Sequence, residues 1–324
     1  MFGVTASFGA MFVVLGGVLL FTAPKVPPLI ASIDKADSVI GSFATDLPPY
    51  SFYTARDGQR LAYRYYAGQP GGGVAVVVHG SSGTAIAIHG VARALQAQGF
   101  SVYAVDLRGH GLSGPLGDVA YRGQSADDLH DLIAIIEKEH PSEKRLLLGH
   151  SLGGSFVLRV AGEPNAADFD AYLALSPFMG ANTPMDRPQE GGWTNVSVPR
   201  IVILSILNRF GVSVLDHLNV IAFAVPENAP GHRPRFYSFA LLQSLSLPRD
   251  WKGALVRIHK PVQVMIGAQD ELFYADKYRH EIESTNRAIK VTIIADVGHM
   301  DMTYDRRALK SEVDTAKSMM RSKI

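Results

Sequence analysis

Residues 145 to 162 combine an apolar run, a glycine-rich turn and a helical pattern around a serine. Gly149–Gly153 reads Gly-His-Ser-Leu-Gly, which matches G-x-S-x-G, and the predicted strand Arg145–Leu148 leads directly into it. In this context a sharp turn lifts the serine hydroxyl clear of the sheet. A serine hydroxyl is a weak nucleophile at neutral pH until a neighbouring base removes its proton. We therefore predict that Ser151 is a nucleophile and that it requires a base.

The base for Ser151 must come from the 11 histidines of the chain. His150 occupies the x position of the turn, from which a side chain points away from the serine hydroxyl. His79 and His110 lie early in the chain, in loops that follow strands. His299 follows the last predicted strand, where a loop can reach over the same strand ends. We predict that His299 is the general base.

An acid that orients His299 should follow a strand located between Ser151 and His299 in the chain. Asp270 ends the stretch Gly267-Ala268-Gln269-Asp270, directly after the predicted strand Val262–Ile266. Its carboxylate would hold the imidazole tautomer and stabilise the imidazolium formed during reaction. Asp270 is the predicted acid, and its neighbour Glu271 is the alternative.

Acyl transfer also needs hydrogen-bond donors for the negative charge that develops on the substrate oxygen. The backbone N–H of Leu152, directly after the predicted nucleophile, is one candidate donor. The loop Val78–Gly83 supplies the other, because Gly80 lets the chain turn and the N–H of Ser81 can face the site. The N–H of Ser82 is a second choice for that position.

These loops connect elements that alternate between short apolar runs and longer amphipathic windows, as in a mostly parallel sheet covered by helices. Strands are predicted at Ser51–Arg56, Leu61–Tyr66, Val74–Val78, Val102–Asp106, Arg145–Leu148, Ala171–Leu175, Val262–Ile266 and Val291–Ile294. The first two flank Asp57-Gly58 and predict an antiparallel hairpin at a sheet edge. Helices are predicted at Ala85–Gln98, Ala126–Glu139, Leu152–Gly162, Phe273–Glu283 and Asp305–Met320.

The alternating pattern is interrupted between residues 178 and 258. This interval shows no strand pattern and is read as a helical cap, or lid, over the carboxyl ends of the strands, where open α/β sheets bind ligands. The predicted core then comprises residues 50–177 and 259–324. Within the cap, residues 201–210 form a very apolar helix. That helix either forms an acyl-chain or lipid-facing surface or is simply buried against its neighbours.

Composition and charge exclude several classes of function. The chain has 31 Lys and Arg against 30 Asp and Glu, a net charge of +1, so it lacks the positive field on which nucleic-acid binding usually depends. It has no cysteine, which excludes disulfides, thiolate metal sites and a cysteine nucleophile. Acidic residues 127, 128 and 131 are better explained as a solvated helix face. We predict no metal and no cofactor.

The first 23 residues contain no ionisable side chain and are strongly apolar. A helix of about 22 residues at about 1.5 Å per residue would cross a bilayer core of about 30 Å. We predict a retained membrane anchor, with a cleaved signal peptide or a buried helix as alternatives. Lys25 and Lys35 follow the segment and decide little about orientation, so the side of the membrane stays open. Residues 24–49, bounded by prolines, are predicted to be a linker.

The sequence resembles the α/β-hydrolase fold family, and within it the lysophospholipase and monoacylglycerol lipase-like branch. The resemblance covers residues 50 to 322 and rests on His79-Gly80, Asp106–Gly114, Gly149–Gly154, Gly267–Asp270 and Gly298-His299. Asp106–Gly114 matches D-x-R-G-H-G-x-S, which in that branch shapes the loop beside the active site. The residue pair that often follows the acid in the family, Val-Pro, is absent here.

The resemblance implies an α/β-hydrolase core with a cap, and hydrolysis of carboxylic esters through an acyl-enzyme without a cofactor. With the apolar N-terminus and cap, it suggests amphiphilic esters such as lysophospholipids or monoacylglycerols. The same catalytic residues also suit a thioesterase, an amidase, an acyltransferase or a cofactor-free peroxidase. A ligand-binding protein on a retained hydrolase fold is the remaining alternative, and the complete set of catalytic residues argues against it. The oligomeric state stays open.

Overall fold

The computed structural model describes residues 15–29, 37–42, 46–163, 166–187, 192–227, 229 and 231–321. The first 14 residues, which carry most of the predicted membrane anchor, lie outside this part of the chain. The core and most of the cap lie within it.

Eight strands form one central sheet in the order β1-β2-β4-β3-β5-β6-β10-β11. The strands of the chain are β1 Tyr50–Thr54, β2 Arg60–Tyr66, β3 Val74–Val78, β4 Ser101–Val105, β5 Arg145–His150, β6 Ala171–Leu175, β7 Thr194–Val196, β8 Asn219–Phe223, β9 Phe236–Ser238, β10 Val262–Gly267 and β11 Lys290–Ile294. β1 pairs antiparallel with β2, and β2 antiparallel with β4. The other neighbours in this sheet are parallel. The predicted mostly parallel sheet with an edge hairpin is confirmed.

Helices cover both faces of this sheet, so its central strands are apolar on both sides. In β3, Val74, Val76 and Val78 belong to one buried cluster, whereas Ala75 and Val77 belong to a second cluster on the other face. Successive side chains of a strand point to opposite faces, so a continuous apolar run is required where both faces are covered. The carboxyl ends of the parallel strands then meet at one edge of the sheet, where the predicted chemical residues lie.

The helices are α1 His89–Gln96, α2 Gln124–Glu139, α3 Leu152–Ala161, α4 Val198–Arg209, α5 Phe239–Leu245, α6 Trp251–Val256, α7 Ala275–Thr285 and α8 Arg306–Arg321. Two of them, α1 and α7, begin two or more residues later than predicted, because a carboxylate binds the backbone just before each helix. Asp106 accepts from the N–H of Ala85, and Asp270 accepts from the N–H of Phe273. These contacts hold the preceding residues in turns.

The segment between β6 and β10 contains a second sheet, with antiparallel β7, β8 and β9 in that order. The expectation of a purely helical cap is therefore wrong. Each of these strands has only three to five residues. Such short strands give no detectable alternation of apolar and polar residues, which explains why the sequence pattern missed them.

The described part of the N-terminal segment packs on this cap. Residues 15–21 are helical, and Leu19 is buried with Leu204, Val220 and Phe239. The Arg200 guanidinium donates to the carbonyl oxygen of Leu19, with Nε at 2.8 Å. Among the described residues, no helix combines the length and apolar character needed to cross a bilayer.

Candidate active site

Ser151 lies at the sharp turn between β5 and α3. Its backbone has φ 56° and ψ −118°, a conformation that costs a non-glycine residue energy and persists only where neighbours impose it. Its N–H donates to the carbonyl of Leu175 at 2.8 Å, and its carbonyl accepts from the N–H groups of Ser155 and Phe178. These bonds hold the strained turn from the adjoining strand, the following helix and the start of the cap.

Two glycines allow the turn around Ser151 to pack closely. A Cβ on Gly149 would lie 2.4 Å from the carbonyl oxygen of Gly153. A Cβ on Gly153 would lie 2.4 Å from the carbonyl oxygen of His79, in the loop after β3. Side chains at either position would push the turn apart. The two glycines of G-x-S-x-G are thus required by backbone packing, and Gly153 brings the serine turn against the loop after β3.

Asp270 follows β10 and is almost completely buried. Its Oδ1 accepts from the N–H groups of Leu272 at 3.0 Å and Phe273 at 2.9 Å, and its Oδ2 lies 2.9 Å from Nδ1 of His299. Burial alone would raise the pKa of Asp270, but the charge and hydrogen bond of His299 outweigh it and the pKa lies below its usual value. Asp270 is therefore held as a carboxylate against the imidazole.

Glu271, the alternative acid, contacts the same histidine in another way. Its Oε2 accepts from the backbone N–H of His299 at 2.8 Å, while Asp301 accepts from the N–H of Gly298 at 2.8 Å. These carboxylates hold the backbone of the loop after β11. Of these two neighbouring acids, Asp270 contacts the imidazole and Glu271 contacts the backbone, so the geometry favours Asp270 over Glu271 as the orienting acid.

His299 lies beside the serine turn. The Nε2–H of His150, the residue before Ser151, donates to the carbonyl oxygen of His299 at 3.0 Å, and the two rings lie 4.7 Å apart between centroids. The ring of Phe273 packs edge-on against the imidazole at 5.2 Å. Asp270 engages Nδ1, so Nε2 is the ring nitrogen that would accept a proton from a nucleophile. The structure thus brings the ends of β5, β10 and β11 together as predicted.

Three other buried histidines lie near these loops and are held neutral. Burial lowers the pKa of His79 to about 4 and that of His150 to about 3, and it lowers the pKa of His110 well below the usual value. His79 donates from Nδ1 to the carbonyl of Gly80 and accepts at Nε2 from the N–H of Leu107. Both of its nitrogens are occupied, so His79 is a structural residue and not a competing base.

The loop after β3 lies against the serine turn, where a second oxyanion donor is needed. A Cβ on Gly80 would lie 3.1 Å from the Cβ of Ser151, which shows how closely the two backbones approach. The N–H of Ser82 donates to the Tyr237 hydroxyl at 2.6 Å, so this second-choice donor is already occupied. Among the described residues, the N–H groups of Ser81 and Leu152 have no acceptor. They remain the donors we assign to the oxyanion.

The D-x-R-G-H-G-x-S segment holds the backbone around these loops through hydrogen bonds and ion pairs. Asp106 accepts from the N–H groups of Ala85 and Leu112, and Ser113 accepts from the N–H of Ala62. Arg108 is buried in ion pairs with Asp57 and Asp128. These contacts are structural, and Asp128 is thereby an ion-pair partner and not part of a solvated face.

Two cap residues that the sequence did not indicate contact the catalytic loops. The hydroxyl of Tyr237 binds the N–H of Ser82, and Arg187 donates from Nε to the carbonyls of Asp270 at 3.2 Å and Phe273 at 3.1 Å. Neither residue belongs to a recognisable motif, because the cap carries none. No signal in the sequence distinguishes them from the other tyrosines and arginines of the chain.

These groups suit nucleophilic acyl transfer. The parts that the reaction needs are a serine hydroxyl on a strained turn, an imidazole backed by a buried carboxylate, and two N–H groups without an acceptor in the described part of the chain. The neutral histidines and the ion pairs around them hold the backbone of the loops.

Comparisons with known proteins agree with this description. The sequence model of the family described as "Serine aminopeptidase, S33" matches residues 69–303. The monoacylglycerol lipase of Mycolicibacterium smegmatis is 35% identical over 114 residues, which cover 34% of this chain and 39% of that protein. The match thus spans about two fifths of that relative's length.

Solved structures share the fold at low sequence identity. A soluble variant of monoglyceride lipase from Saccharomyces cerevisiae, in complex with a substrate analogue, has a TM-score of 0.60 at 16% identity and covers 86% of this chain and 96% of its own. The monoacylglycerol lipase of Paleococcus ferrophilus has a TM-score of 0.57 at 20% identity and covers 80% of this chain and 98% of its own. The α/β-hydrolase fold expected from the sequence is confirmed.

Proposed function

The chain belongs to the serine aminopeptidase S33 family of α/β-hydrolases, and we propose that it cleaves carboxylic esters through a covalent acyl-enzyme. Ser151 is the nucleophile, His299 the base and then the acid, and Asp270 the group that orients His299. The single observation that carries this proposal is the 2.9 Å contact between Nδ1 of His299 and Oδ2 of Asp270 beside the turn of Ser151. With Nδ1 facing the acid, Nε2 is the ring nitrogen that we assign to take the serine proton.

The proposed reaction has two stages. His299 takes the proton of Ser151 as the serine oxygen attacks the ester carbonyl, and the N–H groups of Ser81 and Leu152 stabilise the oxyanion. Collapse of the intermediate expels the alcohol, which receives the proton from His299. Water then attacks the acyl-enzyme while His299 takes its proton. Collapse of this second intermediate breaks the bond to the Ser151 oxygen, which recovers the proton from His299, and the acid product leaves. Asp270 stabilises the imidazolium at both stages.

For the substrate we propose an amphiphilic ester with one acyl chain, of the monoacylglycerol or lysophospholipid class. The relatives named as monoacylglycerol lipases and the apolar cap support this choice. Amide hydrolysis is the second candidate, because the family is described by its aminopeptidases. Thioesters and acyl transfer to alcohols use the same residues.

Labelling by a fluorophosphonate tests the nucleophile, and a substrate panel tests the class. We expect wild-type labelling and no labelling or turnover in Ser151→Ala, with unchanged thermal unfolding. Ser155→Ala serves as the matched control, since Ser155 lies one helical turn away and its Oγ accepts from the N–H of Leu247 at 2.9 Å. Undiminished labelling of Ser151→Ala contradicts the assignment. Faster turnover of aminoacyl amides than of monoacylglycerols contradicts the substrate class.

We also propose that the N-terminal segment and the cap together attach the protein to a lipid bilayer. An outer cap face of exposed apolar side chains supports this, and it comprises Leu20, Phe21, Val198, Val202, Ile206 and Phe210, which are 49 to 90% exposed. Val198, Val202 and Ile206 repeat every four residues along α4. The helical residues 15–21 pack on α4 through Leu19.

Vesicle co-sedimentation of the full chain tests this attachment with phosphatidylcholine vesicles. We expect Val202→Asp with Ile206→Asp to weaken binding about tenfold or more, because buried apolar area is lost and charge is introduced. Phe12→Asp with Val13→Asp tests the N-terminal segment separately. Val256→Asp is the control, since Val256 is 57% exposed on α6. Equal binding of wild type and all variants, or no wild-type binding, contradicts the proposal.

A further inference from the structure

Ser82, in the loop that carries the proposed oxyanion donor Ser81, is bound on all sides by one segment of the cap. Its N–H donates to the Tyr237 hydroxyl at 2.6 Å and its Oγ donates to the Pro234 carbonyl at 2.5 Å. Its carbonyl accepts from Nε of Arg233 at 2.7 Å. Every polar group of Ser82 is thus satisfied by residues 233–237, more than 150 positions away in the sequence.

The backbone of Ser82 needs this support. Its φ is 52°, in the left-handed region that non-glycine residues rarely adopt, and it is completely buried. Such a conformation costs about 1–3 kcal/mol and persists only where surrounding contacts impose it. The bonds from the cap supply those contacts, since Ser82 lies in a turn and not in a helix or strand.

The Tyr237 hydroxyl is itself held in one orientation. It lies within hydrogen-bond distance of Nε2 of His110, whose Nδ1 is 3.2 Å from the carbonyl of Arg108. Since that carbonyl can only accept, Nδ1 carries the proton and Nε2 accepts from the Tyr237 hydroxyl. The tyrosine oxygen therefore presents a lone pair to the N–H of Ser82. Burial raises the pKa of Tyr237, so its hydroxyl keeps the proton.

The ring of Tyr237 is fixed as well. It packs edge-on against Phe223 of β8 at 4.6 Å between centroids, and Phe223 packs against Trp193. The cap segment is further tied to the loop of the D-x-R-G-H-G-x-S motif, because Gly111 donates to the carbonyl of His232 and Ser238 donates to the carbonyl of Gly117. The support of Ser82 is therefore rigid.

We propose that the cap segment 233–237 positions the oxyanion hole, with Tyr237 as the principal positioning residue. The core holds the peptide before Ser81, because His79 and the N–H of Gly83 bind the carbonyl of Gly80. The cap holds the residue after Ser81. Hydrogen bonds thus hold the residues on both sides of Ser81 and fix the direction of its N–H. Without the Tyr237 hydroxyl, the bond to the N–H of Ser82 is lost. This inference rests on the proposed serine hydrolysis.

The cap support also receives a contact from the N-terminal linker. Arg233, which binds the carbonyl of Ser82 through Nε, binds Asp37 through Nη1 at 2.6 Å. Arg233 therefore connects the described residue Asp37 of the linker to the oxyanion loop.

Kinetics of Tyr237→Phe test the proposal, because this change removes only the hydroxyl and keeps the aromatic packing. Removing an oxyanion donor lowers kcat by about 10²–10³. A change in the direction of one donor should therefore lower kcat about tenfold, with little change in KM. An alkyl trifluoromethyl ketone, which forms a serine-bound oxyanion, should bind weaker by the same factor as kcat/KM falls. Binding of the product fatty acid should be unchanged.

Tyr172→Phe is the matched control. The Tyr172 hydroxyl also donates an interior hydrogen bond, to the carbonyl of Ala166 at 2.7 Å, but it lies at the opposite end of the sheet from Ser151. We expect both variants to lose similar thermal stability and only Tyr237→Phe to lose kcat. Equal kcat in the two variants, or a change confined to KM, overturns the proposal.

A second variant keeps the test decisive if Tyr237→Phe does not fold. Arg233→Gln removes the bond to the carbonyl of Ser82 from a residue nearer the surface. We expect kcat to fall about threefold, with weaker binding of the trifluoromethyl ketone in proportion. Unchanged kcat in Arg233→Gln overturns the role of the segment. A wild type without fluorophosphonate labelling instead refutes the proposed function.

Discussion

The two halves of the candidate active site are supported in different ways. The acid and base are held within their own loops: Asp270 binds N–H groups two and three residues ahead, and Glu271 and Asp301 bind the backbone of the His299 loop. The oxyanion loop depends instead on the cap, through the bonds to Ser82. One half is local to the core, and the other requires a distant segment.

This difference separates two ways in which a change in the cap can affect catalysis. On the acid side, residues 185–187 also bond the backbone of Leu272 and Tyr274, but the carboxylate of Asp270 is held by the N–H groups of its own loop. Cap contacts to the oxyanion side are the main support of a residue with a strained backbone. We therefore expect cap variants to lower kcat through the oxyanion hole and to leave the histidine and aspartate largely unaffected.

The largest loss of kcat should come from a substitution in the half of the site that contains the acid and the base. Asp270→Asn should lower kcat by about 10⁴, because the amide holds the imidazole in the wrong tautomer and cannot stabilise the imidazolium. Steady-state kinetics on a monoacylglycerol measures this. Glu271→Gln is the matched control and should cost less than about tenfold, since Glu271 binds only the backbone N–H of His299. The reverse order would make Glu271 the acid.

Acid pH should lower the stability of the folded protein, because buried histidines lie in both halves of the candidate active site. The pKa of His150 is lowered to about 3 by burial, so the folded state binds fewer protons than the unfolded state below pH of about 6.5. Above that pH, His150 does not reduce the free energy of unfolding. Below it, the free energy of unfolding decreases by up to about 1.4 kcal/mol per pH unit.

Urea unfolding of wild type and His150→Asn between pH 7.5 and pH 5 isolates this contribution. The variant should be less stable at pH 7.5, where the packing of His150 is lost. The difference should shrink as the pH falls, because only the wild type loses stability through His150. A difference that stays constant over this range would show that His150 does not resist protonation.

A substitution at Glu312 should change the thermal stability without affecting either half of the candidate active site. It is buried on α8, and neither carboxyl oxygen has a hydrogen-bond partner among the described residues. Burial raises its pKa well above the usual value, so the folded state favours the neutral carboxyl. The free energy of unfolding therefore decreases as the pH rises above about 4.5. Glu312→Gln should raise Tm by at least about 2 °C at pH 8 and by less at pH 5.

The control for Glu312→Gln is Glu143→Gln, at a surface loop, which should leave Tm unchanged at both pH values. The kcat of Glu312→Gln should equal that of wild type. A lower Tm at pH 8 would mean that the buried carboxylate has a partner that favours its charged form.

The smallest effect should come from the cap contact on the acid side. Arg187→Met removes the bonds to the carbonyls of Asp270 and Phe273 but keeps the aliphatic stem. We expect kcat to fall about twofold, less than in Tyr237→Phe, because the N–H groups of Leu272 and Phe273 still hold the Asp270 carboxylate. Arg159→Met, which removes bonds to cap carbonyls away from the site, is the control. A larger loss in Arg187→Met than in Tyr237→Phe would reverse the comparison of the two halves.

Much of the fold and of the site could be predicted because their signals are local. β3 is a continuous apolar run, and Ser151 lies in a strand-turn-helix pattern that few other structures produce. Asp270 and His299 could be placed by the strands that precede them, since parallel strands end at one edge of the sheet.

Other features could not be predicted because they depend on contacts between distant segments. The late starts of α1 and α7 follow from hydrogen bonds to Asp106 and Asp270. The small sheet of the cap consists of strands too short to show a period. Tyr237 is one of 12 tyrosines, and nothing around it in the sequence marks it.

The sequence by itself determined the order of strands and helices in the core, the serine turn and the residues that follow each core strand, because these follow from residue type and short-range spacing. Only the tertiary structure decided which carboxylate meets the imidazole of His299, which N–H groups stay free beside Ser151 and which cap residues hold Ser82. Those choices differ by a few ångströms in the approach of separate loops, and local patterns carry no information about such distances.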